Sequence, residues 1–319
     1  MHKLLYKHIP LKDGGYKWEP VTNIGYKIVV VDECSMVPKE LLQQLITHPV
    51  YILCLGDPGQ LPPVNSNDDN KLLEVPHIFL DEIMRQAAES EIIQLTMKIR
   101  NDEPIEYMKG TEVQVIHKSE LTTGMLEWAD QVLCATNDTR KKLNMQMRQL
   151  AGIENNEPQD GDKVICLRNY WETFSDNENA LVNGTIGYLS NPFKTYHNIF
   201  PYSTVEGTSR MPILACGFET DNEEYYEGLD IDYYMMQTGE SILDWKNRYK
   251  MGGNKRTQHL LPYDFTYEYA ITGHKSQGSE WDKVLVIEEK FPFDKEEHKR
   301  WLYTCCTRAA KKLVLVRKD

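Results

Sequence analysis

Two adjacent carboxylates close a hydrophobic run. In YKIVVVDECSM, residues Ile28 to Val31 lead directly into Asp32 and Glu33. Such a pair at the end of a buried strand is costly unless it binds a cation or shares a proton. An aspartate there holds Mg2+, often through water, and the glutamate beside it orients and deprotonates an attacking water. Those are the needs of phosphoryl transfer. Read alone, the dipeptide fits a solvated acidic turn equally well. A second apolar run then delivers GDPGQLPPV, residues 56–64. Gly56, Pro58 and Gly59 shape a tight loop, and Pro62-Pro63 stiffen its exit. Gln60 is presented there with an amide that both donates and accepts, which suits the sensing of a γ-phosphate or of its water. Nothing in the 319 residues reads G-x-x-x-x-G-K-[ST], the loop that would cradle the phosphates.

The elements around these residues explain their placement. YKIVVV and VYILCLGD read as buried strands, and SMVPKELLQQLI between them as a helix with Leu41, Leu42, Leu45 and Ile46 on one face. Strand, helix, strand implies a parallel α/β sheet, whose carboxyl edge is where ligands bind. ESEIIQLTMKIRN predicts an amphipathic helix on Ile92, Leu95 and Ile99. QVLCATNDTRKKLNMQMRQLAG predicts a further strand and helix, with Asn137 as N-cap and Gly152 as stop. Residues 161–262 lose this rhythm and read as a β-rich insertion, with Asn183-Gly184 as a hairpin signal. The α/β pattern returns at FTYEYAITGHKSQGSEWDKVLVIEE and runs to KKLVLV.

Composition narrows the function classes. A net charge of −12 argues against binding nucleic acid through a general positive field, though not against a local basic cleft. Seven cysteines, none in C-x-x-C, read as reduced, small apolar residues of a cytosolic protein. The opening residues are too short an apolar stretch for a signal peptide. No run approaches the roughly 18 apolar residues of a membrane span, so no membrane partner is expected.

The segments VVVDECSM, GDPGQLPPV, LDEIMRQ, YAITGHKSQGSEWDKVLV and LYTCCTRAAKKLVLV occur in this order. Together they resemble the later motifs of superfamily 1 DNA helicases of the RecD/Dda-like branch, over most of the chain. The resemblance implies a fold of two RecA-like P-loop NTPase lobes, α/β with parallel sheets. It further implies an SH3-like β insertion in the second lobe, at the VNGTIG region, with ATP and Mg2+ between the lobes and single-stranded DNA across both. By the same resemblance the chain divides into the later part of a first lobe (1–84), the start of the second lobe (85–160), the insertion (161–262) and the end of the second lobe (263–319).

Roles carry over residue by residue. Asp32 matches the magnesium position, Glu33 the catalytic base and Gln60 the γ-phosphate sensor. Arg85, in LDEIMRQ, matches an arginine reaching the nucleotide from the second lobe, and Arg308, in YTCCTRA, the arginine finger. A planar guanidinium suits the charge spread over a phosphoryl group in transit. Gln277 and Gly278 match a phosphate-proximal turn, and Glu280 the contact to the nucleotide sugar. Thr272, His274 and Ser276 suit a DNA backbone, or the coupling of DNA to ATP. His2, in the opening MHKLLYK, enters a T-x-H-x-L-type DNA-contacting segment. Arg140, Lys141 and Lys142 offer basic help, although that run also reads as a solvated helix face, Arg85 as a surface ion pair and His274 as a packed histidine.

The departure from the pattern is the phosphate loop, which in the family precedes the Asp-Glu strand. The first lobe is therefore expected to be truncated and the chain alone inactive. An upstream segment or separate polypeptide would carry the loop, in a bacterial or phage-infected cell and in DNA replication, repair or recombination. The strand-separating pin is expected either in that absent part or, in short form, near residues 65–76. The competing reading is a single-stranded nucleic-acid-binding module without ATPase activity, or one half of a split helicase.

Overall fold

The computed structural model describes residues 1–10, 16–62, 72–80, 89–153, 156–199, 210–253, 256–290 and 294–317. It forms two compact units. One comprises Met1–Lys7, Glu19–Lys141 and Ala270–Asp319, the other His8–Trp18 and Lys142–Tyr269.

In the first unit the apolar runs pair in parallel. The Ile28–Val31 strand lies beside Tyr51–Cys54, with Val31 opposite Cys54. The helix between them, Lys39–Ile46, buries Leu41, Leu42 and Leu45, of which Leu41 and Leu45 join Leu5, Val29 and Val31 in one core. Ile46, expected on the same face, is exposed. Strand side chains alternate between faces, and the other face of this small sheet is apolar and open: Ile28, Val30, Tyr51 and Leu53 are 64%, 56%, 80% and 51% exposed.

A larger sheet in the same unit has the order Ala270–Thr272, Gln131–Cys134, Trp281–Ile287, Ala309–Arg317, Val113–His117, Met108–Lys109. Every neighbouring pair is parallel except the last. Gln131–Cys134 is buried throughout, as expected of a central parallel strand. The helices Glu91–Arg100 and Lys295–Cys306 pack on this sheet. Ile92, Leu95, Ile99, Trp301, Leu302 and Cys305 share a core with Leu133, Val284 and Leu315.

The helix Asn137–Leu150 begins one residue earlier than the expected cap allows. Thr136 does the capping: its Oγ1 accepts from the Thr139 N–H at 3.2 Å. At the other end Gly152, with φ 82°, turns the chain out of the helix as expected.

The second unit contains a five-stranded antiparallel sheet, ordered Tyr225–Asp232, Arg210–Thr220, Ile186–Asn198, Lys163–Cys166, Phe265–Tyr267. Beneath it Arg148 and Asp162, both fully buried, pair at 2.8 and 2.9 Å. Asn183-Gly184 does turn the chain, with Gly184 at φ 93°. The strands it joins pair elsewhere, however. Ala180–Leu181 pairs with Tyr170–Phe174, and Ile186–Asn198 with Arg210–Thr220 and Lys163–Cys166. The expected hairpin is thus a turn between two sheets. All seven cysteines are free thiols, six of them buried. No helix among the described residues is long and apolar enough to cross a membrane.

Candidate nucleotide site

The parallel pairing of Ile28–Val31 with Tyr51–Cys54 brings Asp32-Glu33 and the 56–61 loop out at the same carboxyl edge. The two exits are tied together by the Cys34 N–H, which donates to the Leu55 carbonyl at 2.8 Å. The carboxylates are not the buried pair the sequence suggested. Asp32 is exposed and Glu33 half-buried, because the open face of the small sheet admits water to the strand end. Asp32 Oδ1 accepts from the Glu33 N–H at 2.9 Å. Glu33 itself adopts φ 48°, ψ 45°, a left-handed conformation. For a residue with a Cβ this is strained backbone of the kind that clusters at functional sites.

The 56–61 loop is held by one acid. Asp57 accepts from the Gly59 N–H at 2.8 Å and from Tyr303 Oη at 2.7 Å, and lies 3.5 Å from Arg100. Burial, with the hydrogen bond to Asp57 added, pushes the Tyr303 phenol up to about 12, so it remains a donor at neutral pH. Gln60 is buried, and its Oε1 has no hydrogen-bond partner among the described residues. An orphaned amide oxygen at a buried position has unmet capacity for a ligand or its water.

Arg308 lies two residues past the end of the Lys295–Cys306 helix, after its C-cap Thr307, and is largely buried. Its Nε donates to the Thr304 carbonyl, its Nη1 to the Ser279 carbonyl and its Nη2 to Thr307 Oγ1, each at 3.1 Å. The guanidinium is therefore docked on its own helix end and on the 276–279 turn. Gln277, expected near a phosphate, donates from Nε2 to the Leu61 carbonyl at 2.9 Å, beside Gln60. Gly278 has φ 78°, which fits a tight turn, and Glu280 is exposed.

Among the candidates for DNA contact, Thr272 and His274 are partly accessible. Burial lowers the pKa of His274 below the ordinary histidine value. Ser276 is fully buried, and its hydroxyl donates to the Gly273 carbonyl at 2.8 Å. It closes the turn and has no exposed surface to offer a strand. Lys141 and Lys142 are exposed, and Arg140 bonds Asn137 Oδ1 at 3.2 Å. Arg85, residues 65–71 of the pin candidate and the side chain of His2 lie outside the described residues.

Three participants escaped the sequence reading: Asp57 as organiser of the loop, Arg100 beside it, and Thr304, whose Oγ1 accepts from the Leu61 N–H at 3.0 Å. Asp57 and Thr304 stood inside quoted motifs. The bonds from Tyr303 to Asp57 and from Leu61 to Thr304 each span more than 240 residues of sequence, so no local pattern pairs them.

A family model described as an AAA domain matches residues 1–119, and one described as a UvrD-like helicase C-terminal domain matches residues 267–316. The chain is 25% identical to the uncharacterized protein R530 of Acanthamoeba polyphaga mimivirus, over 98% of this chain and 81% of that protein. It is 24% identical to the ATP-dependent RecD2 DNA helicase of Deinococcus radiodurans, over 92% of this chain but only 37% of that protein. Among solved structures it resembles Pif1 helicase from Candida albicans, with a TM-score of 0.51, 16% identity and coverage of 92% of this chain and 72% of that one. It also resembles Pif1 helicase from Bacteroides in complex with ADP-AlF3 and ssDNA, with a TM-score of 0.50, 16% identity and coverage of 92% and 71%. At such identity the solved structures show the fold, an α/β arrangement with the parallel sheet of RecA-like lobes. Taken with the family models, these comparisons make the chain similar to superfamily 1 helicases of the RecD/Pif1-like kind.

Proposed function

We propose that these residues form the hydrolytic side of an ATP site in a DNA helicase that moves 5′ to 3′ on a single strand, with the phosphate cradle supplied by another segment or polypeptide. One observation carries the reading. Two parallel strands deliver Asp32-Glu33 and the Gln60 loop to one edge, and that loop is hydrogen-bonded to the helix that leads into Arg308.

The residues fit the group. Among the described residues no three His, Cys, Asp or Glu side chains converge to cage a metal. A single exposed carboxylate at Asp32 suits Mg2+, which keeps several waters and takes few protein ligands. Bound there, the ion would neutralise phosphate charge. Glu33 accepts the proton of the attacking water. Gln60, with its unmet amide oxygen, orients that water. Arg308 exchanges its three present hydrogen bonds, all to neutral oxygens, for phosphate oxygens, a stronger charge-assisted set. Arg85 is proposed to act beside it, with Gly278 and Glu280 near the nucleotide. Thr272 and His274 face the strand, and the β-rich second unit is the SH3-like insertion of this branch.

The open apolar face at Ile28, Val30, Tyr51 and Leu53 supports the cradle's separate origin. Parallel strands are ordinarily covered on both faces, and a segment covering this one would bring its own strand-to-helix turn to the Asp32 edge. The test is ATP turnover by residues 1–319 with and without a polypeptide carrying G-x-x-x-x-G-K-[ST]. Background turnover alone, DNA-stimulated turnover together, and loss of turnover with retained nucleotide binding in Glu33→Gln are expected. Vigorous hydrolysis by the purified 319 residues overturns the proposal. Single-strand binding without turnover in any combination favours the second reading, a nucleic-acid-binding module.

A further inference from the structure

Both peptide N–H groups that flank the Gln60 side chain are held. The Gln60 N–H donates to the Asp57 carbonyl at 3.2 Å, and the next one, of Leu61, donates to Thr304 Oγ1 at 3.0 Å. The Leu61 carbonyl is taken by Gln277 Nε2 at 2.9 Å. Leu61 and Thr304 are 3% and 0% exposed, so neither bond is shared with bulk water. Pro62 follows and restricts the Leu61 backbone further. The backbone of Gln60 is thus fixed on both sides, and only its side-chain torsions stay free.

Thr304 has a second attachment. Its carbonyl accepts from Arg308 Nε at 3.1 Å and from Thr307 Oγ1 at 2.9 Å, and Thr307 Oγ1 accepts from Arg308 Nη2 at 3.1 Å. One buried residue therefore touches the Gln60 loop with its side chain and the Arg308 guanidinium with its main chain.

We propose that Thr304 is a positioning residue that sets the Gln60 loop against Arg308, with Gln277 closing the clamp on Leu61 from the facing turn. The inference rests on the proposed function, since only there do Gln60 and Arg308 serve one nucleotide. The physical requirement is a hydroxyl at 304. Valine has the same shape but no acceptor, and would leave the buried Leu61 N–H unpaired; serine keeps the acceptor and loses only a methyl group. When Arg308 leaves its present bonds for a ligand, the Thr304 carbonyl is released while its hydroxyl still holds Leu61. The clamp thus lets the arginine move without losing the sensor.

The experiment compares Thr304→Val with Thr304→Ser in residues 1–319, by amide hydrogen exchange resolved at Leu61. Thr304→Val is expected to speed Leu61 exchange roughly tenfold, the order of effect of an unpaired buried donor. Amides of the Trp281–Ile287 strand should stay unchanged, and Thr304→Ser should keep the wild-type rate. Unchanged Leu61 exchange in Thr304→Val, or equal acceleration in both variants, overturns the clamp. In the protein reconstituted with a phosphate-loop polypeptide, Thr304→Val should lower kcat about tenfold with KM for ATP held, and Thr304→Ser should restore it. A change confined to KM overturns the positioning role. If wild type shows no turnover in that mixture, the proposed function fails, and the exchange measurement still decides the clamp.

Discussion

Replacing Glu33 by glycine should stabilise the protein while removing the proposed base. Glu33 sits at φ 48°, ψ 45° where the chain leaves the Ile28–Val31 strand and enters the turn at Cys34–Met36 within two residues. The left-handed conformation costs a residue with a Cβ about 1–2 kcal/mol. Glycine avoids that cost but gives up about 0.5–1 kcal/mol more chain entropy on folding. The difference predicts that Glu33→Gly gains about 0.5–1 kcal/mol. Removing the carboxylate also relieves repulsion from Asp32, so Glu33→Ala is the necessary control: it loses the charge and keeps the Cβ. Urea unfolding at constant pH, with equal m-values, reads the result. Glycine should exceed alanine by most of the stated gain, and asparagine, which tolerates this region, should fall between them. If Glu33→Gly is no more stable than Glu33→Ala, the strain is not real and the functional inference drawn from it fails. Both variants should lack turnover in the reconstituted enzyme, because neither can accept a proton.

Other consequences follow from named contacts. A Cβ on Gly273 would lie 2.5 Å from Trp301 Nε1 and 2.6 Å from Cys305 Sγ, both on fully buried side chains; Gly273→Ala should cost about 1–3 kcal/mol by overpacking, and a urea midpoint within error of wild type would contradict the packing. His274 releases its proton more readily in the folded state than unfolded, because burial lowers its pKa. Its contribution is therefore complete above the unfolded value of 6.5 and is lost as pH falls from there through the folded pKa. Titration of the ring by NMR should give a midpoint below 6.5, and His274→Gln should flatten the stability profile in that window. With a net charge of −12, single-strand affinity should fall gently with salt, and the double substitution Lys141→Ala and Lys142→Ala should reduce the log–log slope by about 1.4 if each lysine meets one phosphate. An unchanged slope in fluorescence anisotropy would make that run a solvated helix face.

The residue types and their order were enough to point to the candidate site. A strand ending in Asp32-Glu33 and a second ending in the Gln60 loop are local patterns, and parallel pairing of two apolar runs joined by a helix follows from hydrophobic periodicity. The Glu91–Arg100 helix and the Gly152 stop were legible for the same reason, since each is written within a few consecutive residues. Caps and turns were less so: Thr136 displaced Asn137, and Asn183-Gly184 joined two sheets, because a turn signal does not say which strands will pair. Tertiary structure alone decided what those side chains meet. Ser276 was hidden by the turn it closes, Gln277 was drawn to Leu61, and Thr304 was placed between Leu61 and Arg308 by the packing of one helix on a loop more than 240 residues away. Hydrogen bonds across such separations depend on how two surfaces dock, and neither surface carries a sequence pattern that names its partner.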